Sequence, residues 1–245
     1  MKIKKIILVL GSEGNIGKPL VNNLLKKNYS VIAVDNKFIK GVKKKDYYFI
    51  KSDVTKENNL KKLFNKIRKI GKIYAAVNCI YPRAKSWGTK FESLNINKIK
   101  NHLYFQLGLP ILISKEICKL FLNNGSGKLI NISSIQGISA PKFDHYKNTN
   151  MISPIEYSVA KSGIISLTKY LAKYYRGKKI IVNCVSPGGI KSNQPLSFQK
   201  KYNKSCNLKG LLNGIDIVNV IMFLISEKSN YITGQNIIVD DGWSL

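Results

Sequence analysis

Short apolar runs alternate along the chain with stretches whose apolar residues recur at three- and four-residue spacing. The first run, "KIILVL" (5–10), ends at Gly11 and has the continuous aliphatic character of a strand buried on both faces of a parallel sheet. Helical spacing follows in 15–28, at Ile16, Leu20, Leu24 and Leu25. "YSVIAVD" (29–35) and "YYFIKSDV" (47–54) predict the second and third strands. Thr55 is placed to cap an amphipathic helix with Glu57 in its first turn and Leu60, Leu63, Phe64, Ile67 and Ile70 on its apolar face. "IYAAVN" (73–78) predicts a fourth strand.

A helical region spans about 92–122, bent or broken near Gly108 and Pro110. "GKLINIS" (127–133) predicts strand five, 155–177 a helix closed by Gly177, and 179–189 a sixth strand running into a loop. A polar segment reaching about 212, a helix over 214–226 and a strand over 236–242 complete the chain. No linker or repeat divides it. The alternation predicts one domain over 1–245, a doubly wound parallel sheet of about seven strands with right-handed crossovers and helices on both faces.

Charge changes this picture little. The formal net charge is +28, yet 38 of the 41 basic residues are Lys, and Lys, Asn and Ile together supply 97 of 245 residues. That is a chain-wide compositional bias, with Lys43–Lys45 as the one tight run and no Arg-rich arm. A solvated surface is the reading of this charge; a specific nucleic-acid partner is not expected, and any use of the charge would favour anionic substrates or cofactors over DNA. The four cysteines lack metal-ligand spacing, so no metal site is expected, and three of them lie in apolar surroundings and read as buried free thiols of a reducing cytoplasm. No apolar segment reaches the length of a membrane span, and the N-terminal apolar run is too short for a signal peptide.

"LVLGSEGNIGKP" runs from a strand through a glycine-rich turn (Gly11, Gly14, Gly17) into a helix. Glycines let a pyrophosphate approach the backbone, and the helix start offers free amides and a positive dipole end. Asp35 closes the next strand, where a carboxylate takes the hydroxyls of the adenine-side ribose and repels a 2′-phosphate. NAD(H) is therefore expected over NADP(H), with Lys37 and Lys40 close enough in sequence to soften the preference.

Eight motifs in order carry a resemblance. They are the turn at 11–17, Asp35, "SDVT" (52–55), "VNCI" (77–80), "NISSIQG" (131–137), "YSVAK" (157–161), "VSPGGIKS" (185–192) and "YITGQNIIVDDG" (231–242). In this the chain resembles the short-chain dehydrogenase/reductase family over nearly its whole length. The resemblance implies a single Rossmann-type domain that oxidises CH–OH groups or reduces carbonyls with NAD(P), as a homotetramer or dimer. It implies that Gly11, Ser12, Gly14, Asn15, Ile16 and Gly17 hold the dinucleotide, with Asp53 and Val54 near the adenine. Asn78 should hold the loop above the glycine turn, and Pro187, Gly188, Ile190 and Ser192 should meet the nicotinamide end.

Tyr157 and Lys161 stand four apart, on one face of a helix. A free phenol has a pKa of about 10. A neighbouring ammonium and the positive nicotinamide are expected to lower it, making Tyr157 the general acid for carbonyl reduction or base for alcohol oxidation. Ser134 is expected to hold the substrate oxygen, and Lys161, by the resemblance, the nicotinamide ribose. Several positions depart from the family pattern: Leu10 before the first glycine, Asn15 for a glycine, and Cys79-Ile80-Tyr81 after Asn78. Gln106 stands where an Asn relaying protons through water is expected.

Ser134 and Tyr157 are 23 residues apart, longer than is usual in the family, which marks an insert at about 138–153 over the mouth of the site. Gln136, His145 and Tyr146, with Arg83 from another loop, are the candidate substrate contacts, and about 190–212 is a candidate lid. A polar, partly cationic rim suits a hydroxylated substrate that is phosphorylated or nucleotide-linked. The insert and "YPRAKSWGTKFE" look like a subgroup found with bacterial surface-glycan and flagellin-modification genes, including those for nonulosonic sugars. That implies a sugar oxidoreductase. A 3-oxoacyl-carrier-protein reductase and a non-catalytic dinucleotide-binding sensor or scaffold remain the alternatives.

Overall fold

The computed structural model describes residues 4–37 and 45–245; Lys40 and most of the Lys43–Lys45 run lie outside them. The chain orders as β1 (Ile6–Leu10), α1 (Gly17–Lys26), β2 (Ser30–Asp35), β3 (Tyr47–Lys51), α2 (Glu57–Ile70) and β4 (Ile73–Asn78). Then come α3 (Ile96–Leu103), a π-helical turn (Tyr104–Gly108), α4 (Leu109–Asn124), β5 (Gly127–Ile132) and α5 (Ile155–Tyr174). β6 (Ile180–Pro187), α6 (Leu196–Asn203), α7 (Gly214–Ile225) and β7 (Asn236–Val239) follow.

All seven strands pair in parallel in the order β3-β2-β1-β4-β5-β6-β7. Alternate residues of each central strand serve two apolar layers. Leu8 and Leu10 of β1 face Phe64, Ile113, Ile117 and Phe121 of α2 and α4, while Ile7 and Val9 face Leu20, Leu24, Ile217 and Ile221 of α1 and α7. Helices on both faces explain why the strands read as unbroken aliphatic runs. Strand order reverses across β1 and β4, and the crevice outside the carboxyl ends at such a point is where open α/β sheets bind ligands. No helix among the described residues is long and apolar enough to cross a membrane.

Three local expectations change. Thr55 does not cap α2; the cap is Lys56, without a side-chain bond, because the Thr55 hydroxyl donates to Asp53 Oδ1 at 2.6 Å instead. The long helical region is interrupted by a π turn over 104–108, so the break is a register change rather than a stop. The polar segment before 212 contains α6, whose buried Phe198 and Tyr202 stand four apart. α5 itself ends at Tyr174, and Gly177, at φ 79°, turns the chain into β6.

Candidate active site

A cleft of about 560 Å³ runs along the carboxyl ends of β1, β2, β4, β5 and β6, from the glycine turn to the insert and α6. At one end Gly11 takes φ 75°, and a Cβ there would lie 2.8 Å from the Cys79 carbonyl oxygen. A Cβ on Gly17 would lie 2.1 Å from the Gly11 oxygen, so α1 starts hard against the turn. No side chain caps α1, and Asn15 and Ile16 at its start line the cleft, leaving the positive dipole end toward it. Asn15 is not among the residues with positive φ, so it replaces a glycine without needing one's freedom. Ser12 and Gly17 are buried behind the cleft wall; Gly11, Gly14, Asn15 and Ile16 form it.

Asp35 Oδ2 accepts the Glu13 N–H at 2.9 Å and Oδ1 accepts the Lys37 N–H at 3.0 Å. Glu13, unforeseen from sequence, adds a second carboxylate there; burial pushes its pKa up and Asp35 adds to the rise. Asp53 accepts from both the amide and hydroxyl of Thr55, and Asp53 and Val54 line the cleft. Asn78 accepts the Ile80 N–H at 3.4 Å, bracing the loop above Gly11 from beneath the wall. A cradle that a Cβ would fill, an uncapped helix start and carboxylates at the end of β2 fit a dinucleotide with free ribose hydroxyls.

At the other end, Ser134, Tyr157 and Lys161 all line the cleft. Lys161 Nζ donates to the Ile132 carbonyl at 3.0 Å, and Ser133 Oγ donates to the Lys161 carbonyl at 2.7 Å. These bonds clamp α5 to the end of β5, and Gly137 permits the approach, since its Cβ would lie 2.7 Å from the Lys161 carbonyl carbon. Burial pushes the Lys161 ammonium down to about 8. Within the protein itself burial raises the Tyr157 phenol, outweighing a hydrogen bond with Ser134 and the charge of Arg83, so any lowering must come from the nicotinamide. Lys161 Nζ stands 5.5 Å from the Tyr157 ring centroid and is committed to Ile132. The phenol thus keeps its proton at neutral pH.

Gln106 departs from expectation too. It is buried in the π turn, donates from Nε2 to the Pro82 carbonyl, and is not part of the cleft wall. Ser192 is exposed, with its N–H donating to Gln194 Oε1 at 2.7 Å; Gln194 reaches the cleft in its place, beside Pro187, Gly188 and Ile190.

Arg83, Gln136, His145 and Tyr146 do line the cleft. Gln136 Nε2 donates to the Tyr146 hydroxyl at 3.2 Å and its Oε1 accepts Ser153 Oγ at 2.7 Å. His145 is buried; burial pushes its pKa down, and its Nε2 lies 3.0 Å from Ser205 Oγ. Lys201 of α6 donates to the carbonyls of Asp144 and Lys147, fastening α6 to the insert. Sequence reasoning missed the lining rings Tyr81, Phe198, Tyr202 and Trp243 and the Trp87 ring packed behind them. Tyr81, Trp87 and Tyr157 meet edge-on with centroids 5.6 and 5.7 Å apart, and Tyr202 stacks on Trp243 at 5.8 Å. Only the Phe198/Tyr202 spacing hinted at them. The Arg83 guanidinium lies 5.1 Å from the Tyr81 centroid and 5.8 Å from that of Trp87.

Known proteins are similar to this chain in sequence and fold. A family profile described as enoyl-(acyl carrier protein) reductase matches residues 12–244. The chain is 38% identical to post-translational flagellin modification protein A of Campylobacter coli, over 98% of both chains. It is 30% identical to a 3-oxoacyl-(acyl-carrier-protein) reductase of Buchnera aphidicola, over 99% of this chain and 98% of that one. A short-chain dehydrogenase from Leptospira borgpetersenii, solved with bound NAD+, superposes with a TM-score of 0.90 at 31% identity, covering 99% of this chain and 93% of the other. With a seven-stranded parallel sheet, a glycine turn and Ser134, Tyr157 and Lys161 gathered on one cleft, the chain belongs to the short-chain dehydrogenase/reductase family of oxidoreductases.

Proposed function

We propose that the protein interconverts a secondary alcohol and a ketone with NAD(H), on a sugar, sugar phosphate or nucleotide sugar destined for a surface glycan. The observation that carries the reading is one continuous cleft, with carboxylates at the β2 end and Ser134, Tyr157 and Lys161 at the other. The bound dinucleotide would supply or accept the hydride. Ser134 would hold the substrate oxygen, Tyr157 would donate the proton it keeps at neutral pH, and Lys161 would hold the ribose from α5. Glu13 beside Asp35 supports NAD(H), since two carboxylates repel a 2′-phosphate. The glycan setting rests on the relative in flagellin modification. A homo-oligomer with exposed Tyr170 and Tyr174 of α5 against a second copy belongs to the same reading.

The carrier-protein reductase is the second reading, on the strength of the Buchnera relative. Fluorescence titration of NADH and NADPH, then assay of phosphorylated sugars, nucleotide sugars and acetoacetyl thioesters, separates the two. Tyr157→Phe should cut turnover about 10³-fold with NADH binding retained. Undiminished turnover in that variant, or thioesters as the sole substrates, would overturn the proposal.

A further inference from the structure

Behind the aromatic rings lies a buried ionisable pair with no part in the chemistry above. Glu156, next to Tyr157, sits in the first turn of α5, where the helix dipole favours a carboxylate. It is 3% exposed, and neither carboxylate oxygen makes a hydrogen bond. Its partner is His102 of α3, fully buried, with Nε2 3.6 Å from Glu156 Oε1. The same nitrogen lies 3.1 Å from Ser86 Oγ, and the imidazole packs on Trp87 at 5.7 Å. Gln106, four positions after His102, bonds to Pro82. One helical edge therefore grips the 79–89 loop at two points, and that loop carries Tyr81 and Trp87 against Tyr157.

A buried carboxylate facing only an imidazole adds little stability compared with an apolar pair of similar size, and losing one partner strands the other. Its retention beside the tyrosine has a geometric use. We propose that Glu156 and His102 are positioning residues: the carboxylate fixes the imidazole, which through Ser86 and Trp87 sets a roof of Tyr81 and Trp87 packed edge-on against the Tyr157 ring, and so holds its hydroxyl in place. The roof decides how a substrate carbonyl meets that hydroxyl, so the inference deepens the oxidoreductase reading and rests on it.

The test uses the full chain. With two tryptophans, the Trp243→Phe background isolates the emission of Trp87. In that background Glu156→Ala should shift Trp87 emission to the red. In the otherwise native chain it should lower kcat about tenfold, with the NADH Kd within about twofold of the parent. Glu156→Gln, which keeps the size of the side chain and an oxygen facing the imidazole, should recover at least half of both effects. A folded Glu156→Ala with unchanged emission, or with unchanged kcat, overturns the proposal. Should Glu156→Ala not fold, Ser86→Ala, the loss of one oxygen, decides by the same two readouts. A wild-type chain that turns over no alcohol or ketone would sink the functional reading instead, and the emission arm would still judge the roof.

Discussion

The two ends of the cleft are built in opposite ways. The dinucleotide end is mostly backbone: a glycine turn, a helix start and short loops after β1, β2 and β3, with Glu13, Asp35, Asp53 and the cation Lys37 as its charges. The substrate end is mostly side chains, delivered by the 79–89 loop, the insert, α6 and the C-terminal Trp243, and Arg83 is its exposed cation. Backbone sites recognise what every substrate pair shares, and side-chain sites recognise what differs. Changes at the first end should therefore alter which cofactor is used, and changes at the second which substrate.

The largest expected effect that could break this division is at Asp35. Asp35→Ser removes the charge that repels a 2′-phosphate and should move the NADPH/NADH ratio of kcat/KM about 100-fold toward NADPH. If the same variant reordered the substrates, the ends would not be separable. Next comes Arg83. Arg83→Leu should raise KM about tenfold for phosphorylated or nucleotide-linked sugars and leave neutral polyols unaffected, the loss expected when a charge-assisted hydrogen bond is removed. An equal loss on charged and neutral substrates would refute a role in anion recognition.

The smallest effect concerns pH at the junction. Burial holds Lys161 near 8 against an ordinary 10.5, so its ammonium is present below about pH 8 and lost as pH rises through it. NADH should bind a few-fold more weakly at pH 9.5 than at pH 7, and Lys161→Met should flatten that dependence. For stability the sign is opposite. The depressed pKa means the folded state resists protonation, so this group destabilises the fold most below pH 8 and ceases to do so above the unfolded value.

The same division explains what the sequence disclosed. Strands buried on both faces gave unbroken runs such as Ile6–Leu10, and the four-residue spacing of Tyr157 and Lys161 anticipated their shared face of α5 on the cleft. The dinucleotide end was legible because glycine spacing and a strand-terminal Asp35 are local features. Glu13 escaped because its amide meets the Asp35 carboxylate, and its own carboxylate comes to that end of the cleft, only through the fold. Thr55 was misread because Asp53 competes for its hydroxyl, a choice no helical pattern reveals. Gln106 was assigned by analogy to a proton relay, and the π turn aims it at Pro82 instead. Tyr81, Tyr202 and Trp243 were invisible for a plainer reason: they come from segments with no common periodicity and are brought to one cleft only by the fold.

The fastening of α6 to the insert has a mechanical consequence. Lys201 reaches two carbonyls at 143–147, His145 meets Ser205, and Tyr146 packs on Phe198 at 5.2 Å. Any opening of α6 must either carry those insert residues along or break all of these contacts together. Helix α6 and residues 143–147 thereby form one mechanical unit along the wall of the cleft.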